Sequence, residues 1–351
     1  MPCEARQTAI ILFYCPFVMD PFTMEKKNTN DIFHIFQPDL LRIEQALKDR
    51  FACENPFINE VCSHIIFAGG KRIRPLLTVC AARLCGRSDD AAYELSVVPE
   101  YLHAASLLHD DVVDGGVLRR GKPAAHILWG VNAVVLVGDS LYARAIEIAT
   151  RFRNIPIARI IAETVALMAE GEIIQLLSSQ TRRLDEKTYL DIVHRKTGAL
   201  ISASCAIGAH LAEAGPRRVR ALTEFGRLIG TAFQMVDDVL DYAAKTEKLG
   251  KAAGTDMAEG KTTLPLAIAM ERAETRDRER LMEILSSGRM TNEDLSWTRR
   301  ILDQTGAIEE TRKRAKAYIN EACAHLVDTF SPSETREGLV TLAHFILTRT
   351  K

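Results

Sequence analysis

From Asp39 onward, apolar residues recur three and four positions apart, the spacing that lines one face of an α-helix. The pattern predicts helices over Tyr93–Val113, Asp139–Phe152, Ile157–Leu177, Glu186–Leu211 and Val219–Tyr242. Gly and Pro fall mainly between these segments: Gly69-Gly70, Gly115-Gly116, Gly121 to Pro123, Pro156 and Gly215-Pro216. No convincing run alternates with period two, so a sheet is not expected. Several segments are apolar nearly all round, as helices are when other helices enclose them in a thick bundle. No long linker, low-complexity tract or fixed-period repeat divides the chain. The pattern therefore predicts one large all-α domain over residues 31–351.

Residues 1–30 stand apart. Thr8 to Met19 is apolar, but Glu4 and a single arginine precede it and no small-x-small cleavage site follows. A secretory signal is therefore not expected. Met24 opens a polar segment leading directly into an ordinary helix, consistent with a start there. This N-terminal extension is expected to be poorly ordered or not native.

Composition narrows the function. The 45 Lys+Arg nearly cancel the 46 Asp+Glu, leaving a formal charge of -1, without the basic excess of a nucleic-acid binder. With 47% hydrophobic and 26% charged residues, the 351-residue chain can bury a sizeable core. No apolar run reaches the roughly 18 residues that would span a bilayer. The eight cysteines include no CxxC pair and sit mostly in apolar helical runs, so reduced core thiols are expected rather than disulfides or a zinc site. The expectation is a soluble, cytoplasmic protein with no nucleic-acid partner.

Candidate chemistry lies in two acidic clusters. Asp110, Asp111 and Asp114 close the segment LLHDDVVD, and Asp237, Asp238 and Asp241 lie in FQMVDDVLDY. Residues four apart share a helix face, so Asp110 and Asp114 project together, and Gln234 lies one turn before Asp237 and Asp238. Carboxylates about 6 Å apart repel by roughly 3 kcal/mol at an effective dielectric of 20, and by under about 1 kcal/mol in water. These clusters sit in strongly apolar segments, where the larger figure applies better. Gly115-Gly116 also predicts a helix stop, which puts the first cluster at the negative end of a helix dipole, where it calls for a compensating cation. Mg²⁺ is the natural candidate: it prefers oxygen ligands and takes one or two carboxylates with phosphate oxygens. Zinc suits the site less, because no His/Cys set accompanies the acids.

Basic residues supply the matching charge. The turn Gly69-Gly70 feeds Lys71, Arg72 and Arg74 into a helix, a disposition suited to phosphate oxygens. Arg119-Arg120 follow the first cluster in the loop Val117–Pro123, and His103 lies two turns before Asp110. Lys196-Thr197-Gly198 interrupts an apolar helix, and Lys251 and Lys261 flank Gly250–Gly260.

Six segments, in their order and spacing, resemble the trans-prenyltransferase (polyprenyl diphosphate synthase) family. They are GGKRIRP, HDDVVDGGVLRRGKPA, GDSLYARA, HRKTGAL, FQMVDDVLDY and the Gly-Lys-Thr-Thr-Leu-Pro run beginning at Gly260. The likeness extends over about residues 38–350. It implies an isoprenoid-synthase fold with a central cavity, a homodimer, and head-to-tail condensation of isopentenyl diphosphate with an allylic diphosphate. By the same resemblance Lys71, Arg74, His103 and Arg120 would bind isopentenyl diphosphate. Asp110 and Asp114 would bind Mg²⁺ with the allylic diphosphate, whose phosphates Arg119, Lys196, Thr197, Gln234 and Lys251 would contact, with Lys261 as a further candidate. Asp237, Asp238 and Asp241 would complete metal binding, and Asp110, Asp111, Asp114, Lys196, Asp237 and Asp238 would carry the catalysis. Gly115-Gly116-Val117 departs from the family, where relatives often carry a polar or acidic residue.

Product length is read from the same likeness. Ala105 and Ser106, about one turn below Asp110, are small, whereas a bulky aromatic near there blocks growth in short-chain synthases. A product of about C30 to C50, of the kind used for quinone side chains, is expected, with Tyr142 or Ile146 as a deeper floor. Rival readings are a short-chain farnesyl or geranylgeranyl diphosphate synthase, a terpene cyclase and a non-catalytic subunit. A cyclase would not need GGKRIRP or a second acidic cluster, and an inactive subunit would be expected to lose acidic ligands that are all present here.

Overall fold

The computed structural model describes residues 34–51, 54–182, 185–243 and 254–349. Among these the architecture is helical, as the periodicity predicts, with helices α1 (Gln37–Phe51), α2 (Pro56–Ile66), α3 (Ile73–Leu84) and α4 (Asp90–Val113) opening the chain. A short α5 (Ala125–Trp129) leads into α6 (Val131–Arg151), α7 (Ile155–Thr181), α8 (Glu186–Val193), α9 (Ala199–Leu211) and α10 (Pro216–Ala243). The remainder comprises α11 (Thr255–Ala258), α12 (Leu264–Arg272), α13 (Thr275–Ser287), α14 (Asn292–Gln304), α15 (Ala307–Val327) and α16 (Glu334–Thr348).

Side-chain caps set several helix starts. Asn154 accepts from the Ile157 amide at 3.1 Å and Asp185 from the Thr188 amide at 2.9 Å, satisfying donors that the first turn leaves free. The bundle centres on α9, whose residues Leu200, Ile201, Cys205, Ile207 and Leu211 are all buried. It packs on α3, α4, α7 and α10, which explains its apolar character on every side. Cys62, Cys80, Cys205 and Cys323 are buried free thiols, and Cys85 is a partly buried one, as core cysteines should be.

Two details refine the sequence reading. The segment Glu186–Leu211 is not one regular helix: a π-helical turn, His194–Gly198, joins α8 to α9. The loop after α4 folds into a small antiparallel ribbon of β1 (Leu118–Arg119) and β2 (Lys122–Pro123), with Leu118 opposite Pro123. Arg120 and Gly121 turn it with φ of 52° and 77°, the doubly positive geometry of a tight hairpin. Two residues per strand are too few to show as period-two alternation.

Candidate active site

Helix α4 stops after Val113 with Asp114 as its cap, and Gly115 follows at φ 64°. Its last turns border a cavity of about 480 Å³ lined by α3, α4, α6, α7, the π turn, α9 and α10. Asp110, Glu172, Lys196 and Gln234 supply polar groups to this cavity, while Leu107, Val165, Met168 and Leu200 supply apolar walls. Burial pushes the Asp110 carboxyl up to about 6; the Glu172 and Asp114 charges add to this and Lys196 opposes it.

The π turn aims Lys196 at that carboxylate. Lys196 Nζ lies 4.0 Å from Asp110 Oδ2 and 2.5 Å from Glu172 Oε2. Gly171 permits the approach of α7, since a Cβ there would come within 2.8 Å of Arg195 Cβ and 3.1 Å of the Lys196 nitrogen. Asp114, at the unfavourable end of α4, receives the Lys261 ammonium at 2.8 Å. Glu259 holds the same ammonium at 2.7 Å. Burial would lower the Lys261 pKa, but these two carboxylates raise it.

One member of the second cluster, Asp238, borders an adjoining recess. Lys261 shares a recess of about 130 Å³ with Asp238, Asp256, Gln234, Thr197 and Lys196. Thr197 Oγ1 donates to Gln234 Oε1 at 3.1 Å, and Gln234 Nε2 donates to Asp238 Oδ1 at 2.9 Å. Asp238 is 2% exposed, and burial, reinforced by Asp256, pushes its carboxyl up to about 7. Burial also raises Asp237, against the pull of Arg349, whose guanidinium donates to it at 2.8 Å. Asp241 accepts the Asp256 amide at 3.3 Å.

The basic residues divide into free and committed groups. Arg74 and His103 line the main cavity, and the Arg74 Nε is buried without a hydrogen-bond partner. Burial, with Arg74 and Arg120 nearby, holds the His103 imidazole well below its ordinary pKa, and burial lowers Arg74, Arg120 and Lys71. A neutral imidazole beside crowded cations is a setting ready for an anion. Arg72, by contrast, is buried between Glu44 at 2.5 Å and Glu100 at 2.7 Å, so only two of the three cations of the glycine turn remain available.

Several sequence-predicted positions fall elsewhere. Asp111 does not line the main cavity: it is buried against Arg119, whose Nε donates to both carboxylate oxygens at 2.8 and 2.7 Å. Arg119 is thereby paired with a carboxylate of the chain, as Lys196 and Lys261 are. Ser106 lines the cavity, but Ala105 is fully buried in the packed core, because adjacent helical residues point about 100° apart. Tyr142 lines the cavity, whereas Ile146 is not among its lining residues and is 43% exposed. Lys251 lies outside the described residues. Sequence reasoning missed Glu172, Glu259 and Arg349; the only signal for Glu172 is an acid in the midst of the apolar run of α7.

Among the described residues no three acidic, histidine or cysteine side chains converge on one point as a ready metal cage. The donors are all oxygen, however, and two of the best-placed carboxylates already attract ammonium groups of the chain. Such a set fits a hard divalent cation that takes one or two carboxylates and completes its shell with water and phosphate oxygens.

Comparison with known proteins shows which chains this one is similar to. A family model described as polyprenyl synthetase matches residues 55–302. Octaprenyl diphosphate synthase of Escherichia coli (strain K12) is 34% identical over 322 residues, covering 92% of this chain and 99% of that protein. A short chain isoprenyl diphosphate synthase of Methanothermobacter thermautotrophicus is 35% identical over 292 residues, covering 82% of this chain and 88% of its own. The crystal structure of a polyprenyl synthase from Caulobacter crescentus CB15, complexed with calcium and isoprenyl diphosphate, superposes with a TM-score of 0.86 at 38% identity, covering 92% of this chain and 98% of that one.

Proposed function

The chain belongs to the polyprenyl synthetase family and is a trans-prenyltransferase, and from that premise we propose that it condenses isopentenyl diphosphate with an allylic diphosphate into a long all-trans product of about C30 to C50 for quinone side chains. The observation that carries this reading is a cavity lined by Asp110 that shares Lys196, Thr197 and Gln234 with a recess lined by Asp238, with Lys261 bonded to Asp114 and facing that recess.

Asp110 and Asp114 on one side, with Asp237, Asp238 and Asp241 on the other, would hold Mg²⁺ shared with the allylic diphosphate. Bound there, the ions would supply positive charge to the departing diphosphate. Lys196, Thr197 and Gln234 orient the same group by hydrogen bonds, and Lys261 adds charge. Arg74, His103, Arg120 and Lys71 hold isopentenyl diphosphate, whose double bond attacks the allylic cation as the C–O bond ionises. The diphosphate released in the ionisation takes a proton from the cationic adduct, which leaves a new double bond and completes a chain five carbons longer. Leu107, Val165, Met168, Leu200 and Phe233 exclude water from the cation. No nucleophilic side chain is required, because positioning and fixed charge supply the rate.

Ser106 on the cavity wall supports the long-chain reading, since its small side chain leaves the wall open one turn below Asp110. Exposed apolar side chains support a homodimer: Val131, Leu136 and Ile146 on α6 and Ile155 at the start of α7 lie at 43–81% exposure. Purified protein incubated with Mg²⁺, labelled isopentenyl diphosphate and allylic primers of several lengths tests the proposal. Products of C30 to C50 are expected. Products stopping at C15 or C20 would establish the short-chain alternative, and no Mg²⁺-dependent product with any primer would refute the reading.

A further inference from the structure

Gly138 lies mid-helix in α6, where glycine is less favourable than alanine. The reason is a ring from α4. A Cβ built on Gly138 would lie 2.3 Å from His109 Nε2 and 2.6 Å from its Cδ2, so a side chain there and the imidazole cannot coexist as placed. The same Nε2 lies 3.0 Å from the Val135 carbonyl and 3.6 Å from Asp139 Oδ1, and the ring sits 5.7 Å from that of Tyr142 between centroids. Val135, Gly138, Asp139 and Tyr142 follow the i, i+3, i+4, i+7 spacing of one helix face, so His109 is a knob seated in a socket on α6.

We propose that His109, keyed into the Gly138 notch, is a positioning residue that fixes the rotation of the last turns of α4 and thereby the direction of Asp110. The proposal rests on the reading above for the role of Asp110, and deepens it. His109 immediately precedes Asp110, so a ring forced out of its socket turns the backbone that carries the carboxylate. Misplacement by about 1 Å is enough to cost roughly 10²-fold in rate. His109 itself lines the cavity beside Asp110 and Gly138 does not, so the Gly138 variants read positioning apart from any contact of the ring with the diphosphate.

The variants Gly138→Ala, His109→Ala and the double substitution test the key and notch together. Two readouts apply: amide hydrogen exchange at Asp110–Asp114 in the metal-free protein, and steady-state kinetics with Mg²⁺. Gly138→Ala is expected to speed exchange at these amides. It should lower kcat about 10- to 100-fold with the KM for isopentenyl diphosphate unchanged, which a general loss of packing would not do. In the double variant the new methyl meets no ring, so exchange and kcat should return to the level of His109→Ala alone. Gly138→Ala with wild-type exchange and kinetics would overturn the proposal, as would a double variant in which both defects simply add. If Gly138→Ala fails to fold, recovery of folded protein in the double variant supports the notch and equal failure overturns it. Wild-type protein inactive with every primer would refute the reaction, leaving the exchange measurements to decide the packing claim.

Discussion

Arg349 donates to Asp237 Oδ1 at 2.8 Å across 112 residues of sequence, with its guanidinium 4.2 Å from the Phe233 ring centroid. A cation from the last described turn of the chain thus sits on the second acidic cluster, much as Lys261 sits on the first. Arg349→Met should destabilise the protein in chelator by up to about 1 kcal/mol, because it removes a charged hydrogen bond from a half-buried carboxylate that water partly screens. Millimolar Mg²⁺ should narrow that deficit by supplying Asp237 with another positive charge. Thermal unfolding of both proteins, with and without the ion, checks this. An equal deficit in both conditions would mean that guanidinium and ion do not share the site.

Asp110 separates stability from activity. Burial and the neighbouring Glu172 and Asp114 charges raise its pKa, so ionised Asp110 opposes the folded state. Asp110→Asn keeps the shape and removes that opposition. Its melting temperature in chelator should equal or exceed the wild-type value, while turnover should fall by at least about 10²-fold. A variant that melts early would assign the residue to the fold; one that retains turnover would remove it from the site.

The pH dependence follows from the same shifts. Asp110 and Asp238 titrate at about 6 and about 7 in the folded chain, above the unfolded value of 3.8. The folded state therefore binds these two protons more tightly, so the share of stability that these two carboxylates contribute in chelator should decline as pH rises from about 4 through 7, against an opposite slope from His103, whose imidazole is held below its unfolded range. A divalent ion must compete with those protons, so its affinity should rise over the same interval. Half-saturating Mg²⁺, measured by protection against thermal unfolding at pH 6 and pH 8, should be severalfold lower at pH 8. The opposite trend would exclude these carboxylates as the principal ligands.

The repeating patterns made most of this legible. Periodicity marked the long helices because each buries a continuous stripe, and the glycine pair marked the end of α4 because Gly115 adopts positive φ. The acidic clusters stood out because carboxylates are costly inside apolar segments. What the sequence left hidden depends on contacts between distant elements. Arg72 and Arg74 look alike in GGKRIRP, yet Glu44 and Glu100 occupy the first, while the second borders the cavity. Asp111 looks equivalent to Asp110, but its direction hands it to Arg119. The π turn at Lys196 was legible only as an interruption, because one extra residue in a turn leaves little trace in an apolar run.

Chain length is where side-chain direction matters most. Ser106 and Tyr142 line the cavity, Ala105 is enclosed by the core, and Ile146 is exposed. Ser106→Phe should therefore shorten the product, because the ring enters the space that a growing prenyl chain would use. Tyr142→Ala should lengthen it by opening the wall contributed by α6. Ala105→Phe should act differently: its ring has no cavity to enter and must overpack the core, costing about 1–3 kcal/mol of stability. Ile146→Phe should leave product length unchanged. Chromatography of labelled products, paired with thermal unfolding of each variant, separates these outcomes. If Ala105→Phe shortens the product at full stability while Ser106→Phe does not, the growing chain passes on the other side of α4.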